Sequence, residues 1–322
     1  MVLIIDTLSF VNRFFALASL VIALSACAGS SSHTSSQNGQ ITVAASFYPI
    51  EEIVRNVGGT HVNVLDLTPA GQGAHDVQLT AKQLNALTHA SAVFYLSDGF
   101  QPDVEKTVAS LPHSVATVDV LQSITLLDVA AQLNGTEGTT SGETLTSGKD
   151  PHVWLDPANM IAMTTAVADS LSQLHPEFES DFRQAAQSYI SELQKLGTDI
   201  DTRLTICESR VLVTSHRAFA YLAKRANIRQ VAISGVNPDA EPSAKSLEAI
   251  TAFAVANKVS TIFFETLLPA DLAKTLADKV GASADLLDPI EGISSKDIAA
   301  GASYISLQRD NLSRIVKGLR CS

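Results

Sequence analysis

Three histidines and one aspartate occupy comparable places in the sequence. His75 lies in the loop after one strand-like segment, His216 directly follows another, and Asp288 directly follows the strand-like residues 284–287. His152 lies in the segment DPHVWLDP, after a long irregular stretch. One such histidine alone is more often an ordinary core or surface residue. The position that these residues share at strand ends predicts that they act together.

Three imidazoles and one carboxylate suit a tetrahedral borderline cation, and Zn²⁺ fits them best. Mn²⁺ is the weaker match because it prefers more oxygen ligands. Four protein ligands leave no coordination position for a reactive water. The set therefore predicts a site that holds a metal ion, and not the catalytic site of an enzyme. The HExxH motif of zinc proteases is absent from the sequence. Binding needs neutral imidazoles, so the affinity should fall below about pH 6.

Glu265 ends a strand-like segment near the same cleft. One hypothesis is that it accepts a hydrogen bond from a ligand histidine and so holds the imidazole in one tautomer. The other is that it caps the helix that follows. A different class of protein, a secreted zinc hydrolase, would use Glu265 as its base and would need a metal-bound water.

Strand-like and helix-like segments alternate along the chain. The strand-like segments are 41–46, 61–67, 92–97, 115–120, 209–215, 228–234, 259–265 and 284–289, and the helix-like ones are 49–57, 80–89, 102–110, 158–174, 217–226, 243–256, 269–280 and 297–318. This order predicts an α/β protein of two lobes, each a mostly parallel sheet flanked by helices. Ligands of such sheets bind outside the carboxyl ends of the strands, which directs the four residues toward one cleft between the lobes.

A long helical segment separates the two sets of strands. It begins after Pro176 and runs to Leu204, with acidic residues in its first turns, and would be roughly 40 Å long. We therefore predict an N-terminal α/β lobe over 41–175, a rigid linker helix within 176–204 and a C-terminal α/β lobe over 205–322. Residues 132–149 are rich in Gly, Thr and Ser and predict a surface loop.

The N-terminus reads as a targeting segment. Residues 14–24 form an apolar run that is short for a membrane span and fits a signal peptide over 1–26. The run ends in Leu-Ser-Ala-Cys, which is typical of a lipoprotein signal in which Cys27 is lipidated; the alternative is an ordinary secretory signal. Residues 27–40 are Ser-rich and predict a flexible tether. Localisation would be extracytoplasmic, at the cell membrane or in the periplasm.

Two cysteines remain after Cys27, namely Cys207 and Cys321. Outside the cytoplasm such a pair predicts one disulfide, and two free thiols are the alternative.

The composition argues against nucleic acid as a partner, because the formal net charge is −11 and the sequence has no basic cluster. The length of 322 residues suggests about two domains, and we expect a monomer.

Several short motifs lie in order along the chain, namely ASFYPI (45–50), TPAGQGAHD (68–76), DPHVWLDP (150–157), TSHRAFAYLA (214–223), EPSAKSLEAI (241–250), FFE (263–265) and LDPIEG (287–292). Together they resemble the metal-binding receptors of bacterial zinc and manganese ABC importers. The resemblance covers about residues 41–319 and implies two lobes joined by a helical backbone. It implies the ligands His75, His152, His216 and Asp288.

The resemblance also implies a function and its partners. A lipid-anchored receptor would capture Zn²⁺ and deliver it to an ABC permease with its ATPase, and His216 favours zinc because manganese receptors tend to have Glu there. A manganese or iron receptor, or an adhesin, remains an alternative. The chain departs from the family at Ala74, Gln78 and Arg217, and residues 132–149 contain no histidine, so a zinc-collecting role for that loop is not expected.

Overall fold

The structure is a computed structural model that describes residues 40–129, 148–238, 242–266 and 270–322. The predicted signal peptide, Cys27, nearly all of the tether and most of the loop 132–149 lie outside these residues. No helix in the described part of the chain is both long and apolar enough to cross a membrane.

The first half of the chain forms a four-stranded parallel sheet in the order β2-β1-β3-β4. Its strands are β1 (Ile41–Ala45), β2 (Val62–Asp66), β3 (Ala92–Tyr95) and β4 (Ala116–Asp119), and its helices are α1 (Tyr48–Gly58), α2 (Ala81–Leu87) and α3 (Pro102–Val108). Four of the five residues of β1 are buried, as expected for a parallel strand that is covered on both faces.

The second half repeats this arrangement with a sheet in the order β6-β5-β7-β8, again parallel. Its strands are β5 (Val211–Thr214), β6 (Arg229–Ala232), β7 (Thr261–Phe264) and β8 (Ser283–Leu286). The helices of this half are α6 (Ala220–Arg225), α7 (Ala244–Ala256), α8 (Asp271–Val280), α9 (Ser295–Ala299) and α10 (Tyr304–Gly318). The predicted α/β class with two parallel sheets is confirmed.

Two helices connect the sheets, α4 (Pro157–Leu174) and the long α5 (Glu179–Arg203). Asp156 caps α4 by accepting a hydrogen bond from the backbone N–H of Ala158 at 2.9 Å, and Pro157 starts the first turn. The buried residues of α5 recur at helical spacing and pack on α4, α1 and α10. The linker helix is therefore packed along its length and is not a free connection.

The central apolar core is shared by the two halves. It includes Phe47 and Phe94 from the first half, Phe182 of α5, and Phe219 and Phe263 from the second half, all of them buried. Smaller clusters lie under α2 and α3 in one half, and under α7 and α8 in the other. A core that is continuous between the halves resists wide separation of the lobes.

The C-terminal region differs from the sequence prediction. The single helix predicted over 297–318 is wrong: the chain forms α9 and α10 with a break between them. Ser303 starts α10 by forming a reciprocal capping box with Ser306, and Gly301 before it has a φ of 73°. The expected pairing of Cys207 with Cys321 is present as a disulfide, which ties the end of the chain to the segment before β5.

Gly318, the last residue of α10, offers a test of the contact between α10 and the second sheet. A Cβ at this position would lie 2.5 Å from Cζ of Phe263 and 3.2 Å from Cβ of Thr261. We expect Gly318→Ala to lower the free energy of unfolding by about 1–3 kcal/mol, although alanine favours helix by about 1 kcal/mol. Urea unfolding measures this, and Ser313→Ala, at an exposed position of α10, should not destabilise the protein. An unchanged midpoint for Gly318→Ala would contradict the packing.

Candidate metal centre

Four side chains converge at the carboxyl ends of the strands, namely His75, His152, His216 and Glu291. Their potential ligand atoms all lie within 4.8 Å of one another, and all but His75 are buried. His33 lies outside the described residues, and the remaining histidines of the described chain are not part of the group. The three histidines that the sequence singled out are therefore brought together.

Five of the six distances within the group match the edges of a metal tetrahedron, and the sixth, between His75 and His216, is at most 4.8 Å. Nε2 of His152 lies 3.4 Å from Nε2 of His75 and 3.3 Å from Nε2 of His216. Oε1 of Glu291 lies 3.3, 3.3 and 3.1 Å from Nε2 of His75, His152 and His216, respectively. Zinc bonds of 2.0–2.1 Å at tetrahedral angles place neighbouring ligand atoms about 3.3–3.4 Å apart. The group therefore has the size that a zinc ion requires.

His152 is held by the segment that carries it. Oδ1 of Asp150 lies 2.9 Å from Nδ1 of His152 and accepts the backbone N–H of His152 at 3.0 Å. The hydroxyl of Tyr221 donates to the carbonyl of Asp150 at 2.7 Å. Because Nδ1 faces a carboxylate, Nε2 is directed into the centre. Asp150 is a partner that the sequence did not single out, although it opens the motif DPHVWLDP.

His216 has the same type of partner in Glu265, the residue that directly follows β7. Oε1 of Glu265 lies 2.7 Å from Nδ1 of His216 and accepts the backbone N–H of His216 at 2.9 Å. Both side chains are buried. The contact with Nδ1 is an ion-pair distance without the alignment of a hydrogen bond, whereas the backbone N–H of His216 does bond Glu265. A tautomer-setting role for Glu265 therefore stays a prediction.

His75 lies on an irregular loop that follows β2. Nε2 of Gln101, a buried side chain, donates to the carbonyl of Ala74 at 3.1 Å, and the ring of Phe100 packs against the imidazole with centroids 4.8 Å apart. The backbone N–H of Gly71 donates to the carbonyl of Ile293 in the second half at 3.0 Å. The loop that carries His75 is thus tied to both halves.

The structure differs from the sequence prediction at the fourth ligand, because it places Glu291 in the group and not Asp288. Oδ1 of Asp288 accepts the backbone N–H of Ile290 at 2.8 Å, which is an Asx turn. Ile290 has a φ of 55°, and this turn directs the chain so that Glu291 reaches the three imidazoles. Asp288 lines the adjoining cavity instead.

The signal that was missed is the turn chemistry of the segment LDPIEG. An aspartate directly before a proline is a frequent turn residue whose carboxylate bonds its own backbone, so the next acidic residue was the better candidate for a ligand. The position directly after a strand, where ligands of parallel sheets lie, selects Asp288 instead.

Burial and charge act against each other on the titrating groups of the centre. Burial lowers the pKa of His216, but the carboxylates of Glu265 and Glu291 outweigh burial and raise the pKa to about 10. Burial also lowers the pKa of His152, and hydrogen bonds with Asp150 and Glu291 raise it, with a net upward shift. Burial disfavours the charged form of Glu291, yet the three histidines hold its pKa well below the usual range. In the metal-free protein, the proton on His216 compensates part of the negative charge of the buried Glu265 and Glu291 carboxylates.

We expect zinc binding to release at least one proton near neutral pH, because His216 must lose its proton before Nε2 can bind the metal. The affinity should therefore keep rising from pH 7 to about 9, by up to about tenfold per pH unit, and not level off above pH 6. Calorimetry in buffers of different ionisation enthalpy counts the protons. Glu265→Gln should reduce the release by lowering the pKa of His216, and binding without proton release would contradict the raised pKa.

A cavity of about 320 Å³ adjoins the centre. Its lining includes His75, Asp76, Glu265, Asp288 and Glu291, from loops of both halves. Four of these five side chains are carboxylic acids, which attract a cation. The cavity offers a hydrated cation a path to the buried ligands.

Comparison with known proteins identifies the family. The profile of the family described as "ZnuA: Zinc-uptake complex component A periplasmic" matches residues 43–318. The chain belongs to this family. The match covers both sheets, the long helix and all four residues of the centre, and the resemblance noted in the sequence motifs is confirmed.

Two curated proteins that are similar to this chain are named for zinc. The zinc-binding lipoprotein AdcA of Streptococcus pneumoniae (strain ATCC BAA-255 / R6) is 34% identical over 277 residues, which cover 85% of this chain and 55% of AdcA. The chain thus spans about half the length of this streptococcal relative. The high-affinity zinc uptake system protein ZnuA of Bacillus subtilis (strain 168) is 29% identical over 313 residues, which cover 96% of this chain and 97% of that protein.

Solved structures share the fold. The crystal structure of the Zn(II)-bound ZnuA-like domain of Streptococcus pneumoniae AdcA has a TM-score of 0.74 and 32% identity, covering 87% of this chain and 99% of that chain. The laminin-binding protein of Streptococcus agalactiae, described as bifunctional with adhesin and metal transporting activity, has a TM-score of 0.76 at 25% identity, covering 87% of this chain and 99% of that one.

Proposed function

We propose that this protein captures Zn²⁺ outside the cytoplasm and delivers it to an ABC permease, which imports the ion with its ATPase. The observation that carries this proposal is the convergence of three imidazole nitrogens and one carboxylate oxygen, with five of their six separations at the edge lengths of a zinc tetrahedron. Zinc is the cargo, and His75, His152, His216 and Glu291 bind it.

The ligand set favours a receptor over a hydrolase. Four protein ligands satisfy tetrahedral zinc and leave no position for the activated water that hydrolysis needs. Glu265, the base of a hypothetical hydrolase, lies 2.7 Å from the outer nitrogen of His216 and accepts the backbone N–H of His216, so its carboxylate is engaged by a proposed ligand residue. The family is one of uptake components, which supports a protein that is not an enzyme.

Location and partners follow from the family and from the N-terminal sequence. A periplasmic or extracellular receptor fits the family description, and lipidation of Cys27 would keep it at the membrane. The relative named a lipoprotein supports the same anchor. The continuous core suggests that release of the metal to the permease involves small movements of the loops and lobes, not a wide hinge.

Metal competition tests the proposal. The purified protein is stripped of metal and offered equimolar Zn²⁺ and Mn²⁺, and the bound metal per chain is measured. We expect one zinc and almost no manganese, because three imidazoles favour zinc. Preferential manganese would contradict the selectivity, and the absence of stoichiometric metal would overturn the receptor function.

Adhesion is a second candidate, which the likeness to the bifunctional laminin-binding protein favours. Binding of the purified protein to immobilised laminin tests it. Adhesion that is separate from metal capture would survive replacement of His216 and Glu291 by alanine, whereas metal capture would not.

A further inference from the structure

Trp154 connects two of the segments that carry the proposed ligands. It lies two residues after His152, and it is the only tryptophan in the chain. Its side chain is completely buried. The indole Nε1 donates a hydrogen bond to the carbonyl of Pro289 at 2.8 Å, and Pro289 lies two residues before Glu291. One bond therefore joins the segment of His152 to the turn that presents Glu291.

This turn needs support from outside itself. Ile290 lies in the left-handed region with a φ of 55°, which is unfavourable for a β-branched residue and persists only where the surroundings impose it. Asn311 of α10 holds the residue before the proline: its side chain accepts the backbone N–H of Asp288 at 2.9 Å and donates to the carbonyl of Asp288 at 2.6 Å. Trp154 then holds the next carbonyl.

The indole itself is held firmly in place. Its ring packs against Phe47 and Phe100 with centroids 4.8 and 5.2 Å apart, and against the imidazole of His152 at 5.2 Å. The hydroxyl of Tyr304 donates a hydrogen bond to the backbone carbonyl of Trp154. A donor that is fixed in this way can fix its acceptor.

We propose that Trp154 is a positioning residue for metal binding, whose indole N–H holds the Pro289–Glu291 turn so that the Glu291 carboxylate meets the three imidazoles. The inference rests on the proposed zinc capture and adds the residue that places the fourth ligand. Loss of such outer partners costs metal sites about 10- to 100-fold in affinity.

A double-mutant cycle with zinc tests this role. Affinity is measured for the full chain by competition with a chelator of known zinc affinity. Trp154→Phe keeps an aromatic ring but removes the donor, and we expect about a 10-fold weaker affinity. In a Glu291→Ala background the same change should have less than about a twofold effect, because Trp154 acts through Glu291. A merely structural contribution would weaken binding equally in both backgrounds.

A control variant and a substitute for Trp154→Phe complete the test. Phe182→Leu, in the core on α5 and away from the centre, should lower thermal stability while zinc affinity stays unchanged. If Trp154→Phe does not fold, biosynthetic replacement of this single tryptophan by its benzothiophene analogue removes the N–H at nearly constant shape, with the same expected loss.

The outcomes separate this inference from the function on which it rests. A wild-type protein that binds no zinc overturns both. A wild-type protein that binds zinc, together with a donor-lacking variant of equal affinity, or with a loss that persists in the Glu291→Ala background, overturns only the role of Trp154.

Discussion

Replacement of His216 by alanine is expected to weaken zinc binding by about 100- to 1,000-fold. Structural zinc sites with four ligands bind with about 10–16 kcal/mol, so one ligand accounts for roughly 2.5–4 kcal/mol. His216 is completely buried, and its Nε2 lies 3.1 Å from Oε1 of Glu291 and 3.3 Å from Nε2 of His152. Alanine leaves this side of the ion without a protein ligand.

Chelator competition measures the loss, and thermal unfolding of the metal-free variant shows whether it folds. His89→Ala is the matched control, because His89 is an exposed histidine outside the cluster, and its zinc affinity should equal that of the wild type. Retention of the wild-type zinc affinity by His216→Ala would mean that the four side chains do not act as one site.

Glu291→Ala is expected to cost a similar factor of about 100- to 1,000-fold, whereas Asp288→Asn should change the affinity by less than about threefold. Glu291 places one oxygen within 3.3 Å of all three imidazole nitrogens and supplies the negative charge next to the ion. Asp288 uses its carboxylate to close the turn through the backbone N–H of Ile290, and an asparagine oxygen can accept the same bond.

The two acidic residues are separated by only two positions, so the pair tests the geometry of the turn directly. Zinc titrations of both variants are compared under identical conditions, with circular dichroism as a check on folding. A large loss for Asp288→Asn combined with a small one for Glu291→Ala would reverse the assignment and restore the ligand set predicted from sequence.

Part of the centre was predictable because its signals are local. His75, His152 and His216 lie after strands or in a recognisable motif, and parallel strands present their carboxyl ends at one edge of a sheet. Alternation of strand-like and helix-like segments predicted both sheets, and the two late cysteines predicted the disulfide.

The break between α9 and α10 was not predicted, because the apolar periodicity of the sequence continues across it. The end of α9 and the start of α10 depend instead on Gly301 and on the cap at Ser303.

The partners of the ligands could not be predicted in the same way. Glu265 was considered because it ends a strand, but Gln101 contacts the His75 loop from a distant segment, 27 residues along the chain. Trp154 reaches Pro289 across 135 residues. The first contact depends on packing within the first half and the second on packing between the halves, and no spacing within a single segment encodes either.

By itself, the sequence determined the α/β class, the three imidazoles and the preference for a tetrahedral borderline cation, because residue type and strand-end position act within short segments. Only the tertiary structure decided which acid joins them. Asp288 and Glu291 are three positions apart, with Pro289 and Ile290 between them. Their roles depend on the left-handed φ of Ile290 and on the donors Trp154 and Asn311. These donors come from distant segments, so the choice of the fourth ligand is made by long-range packing.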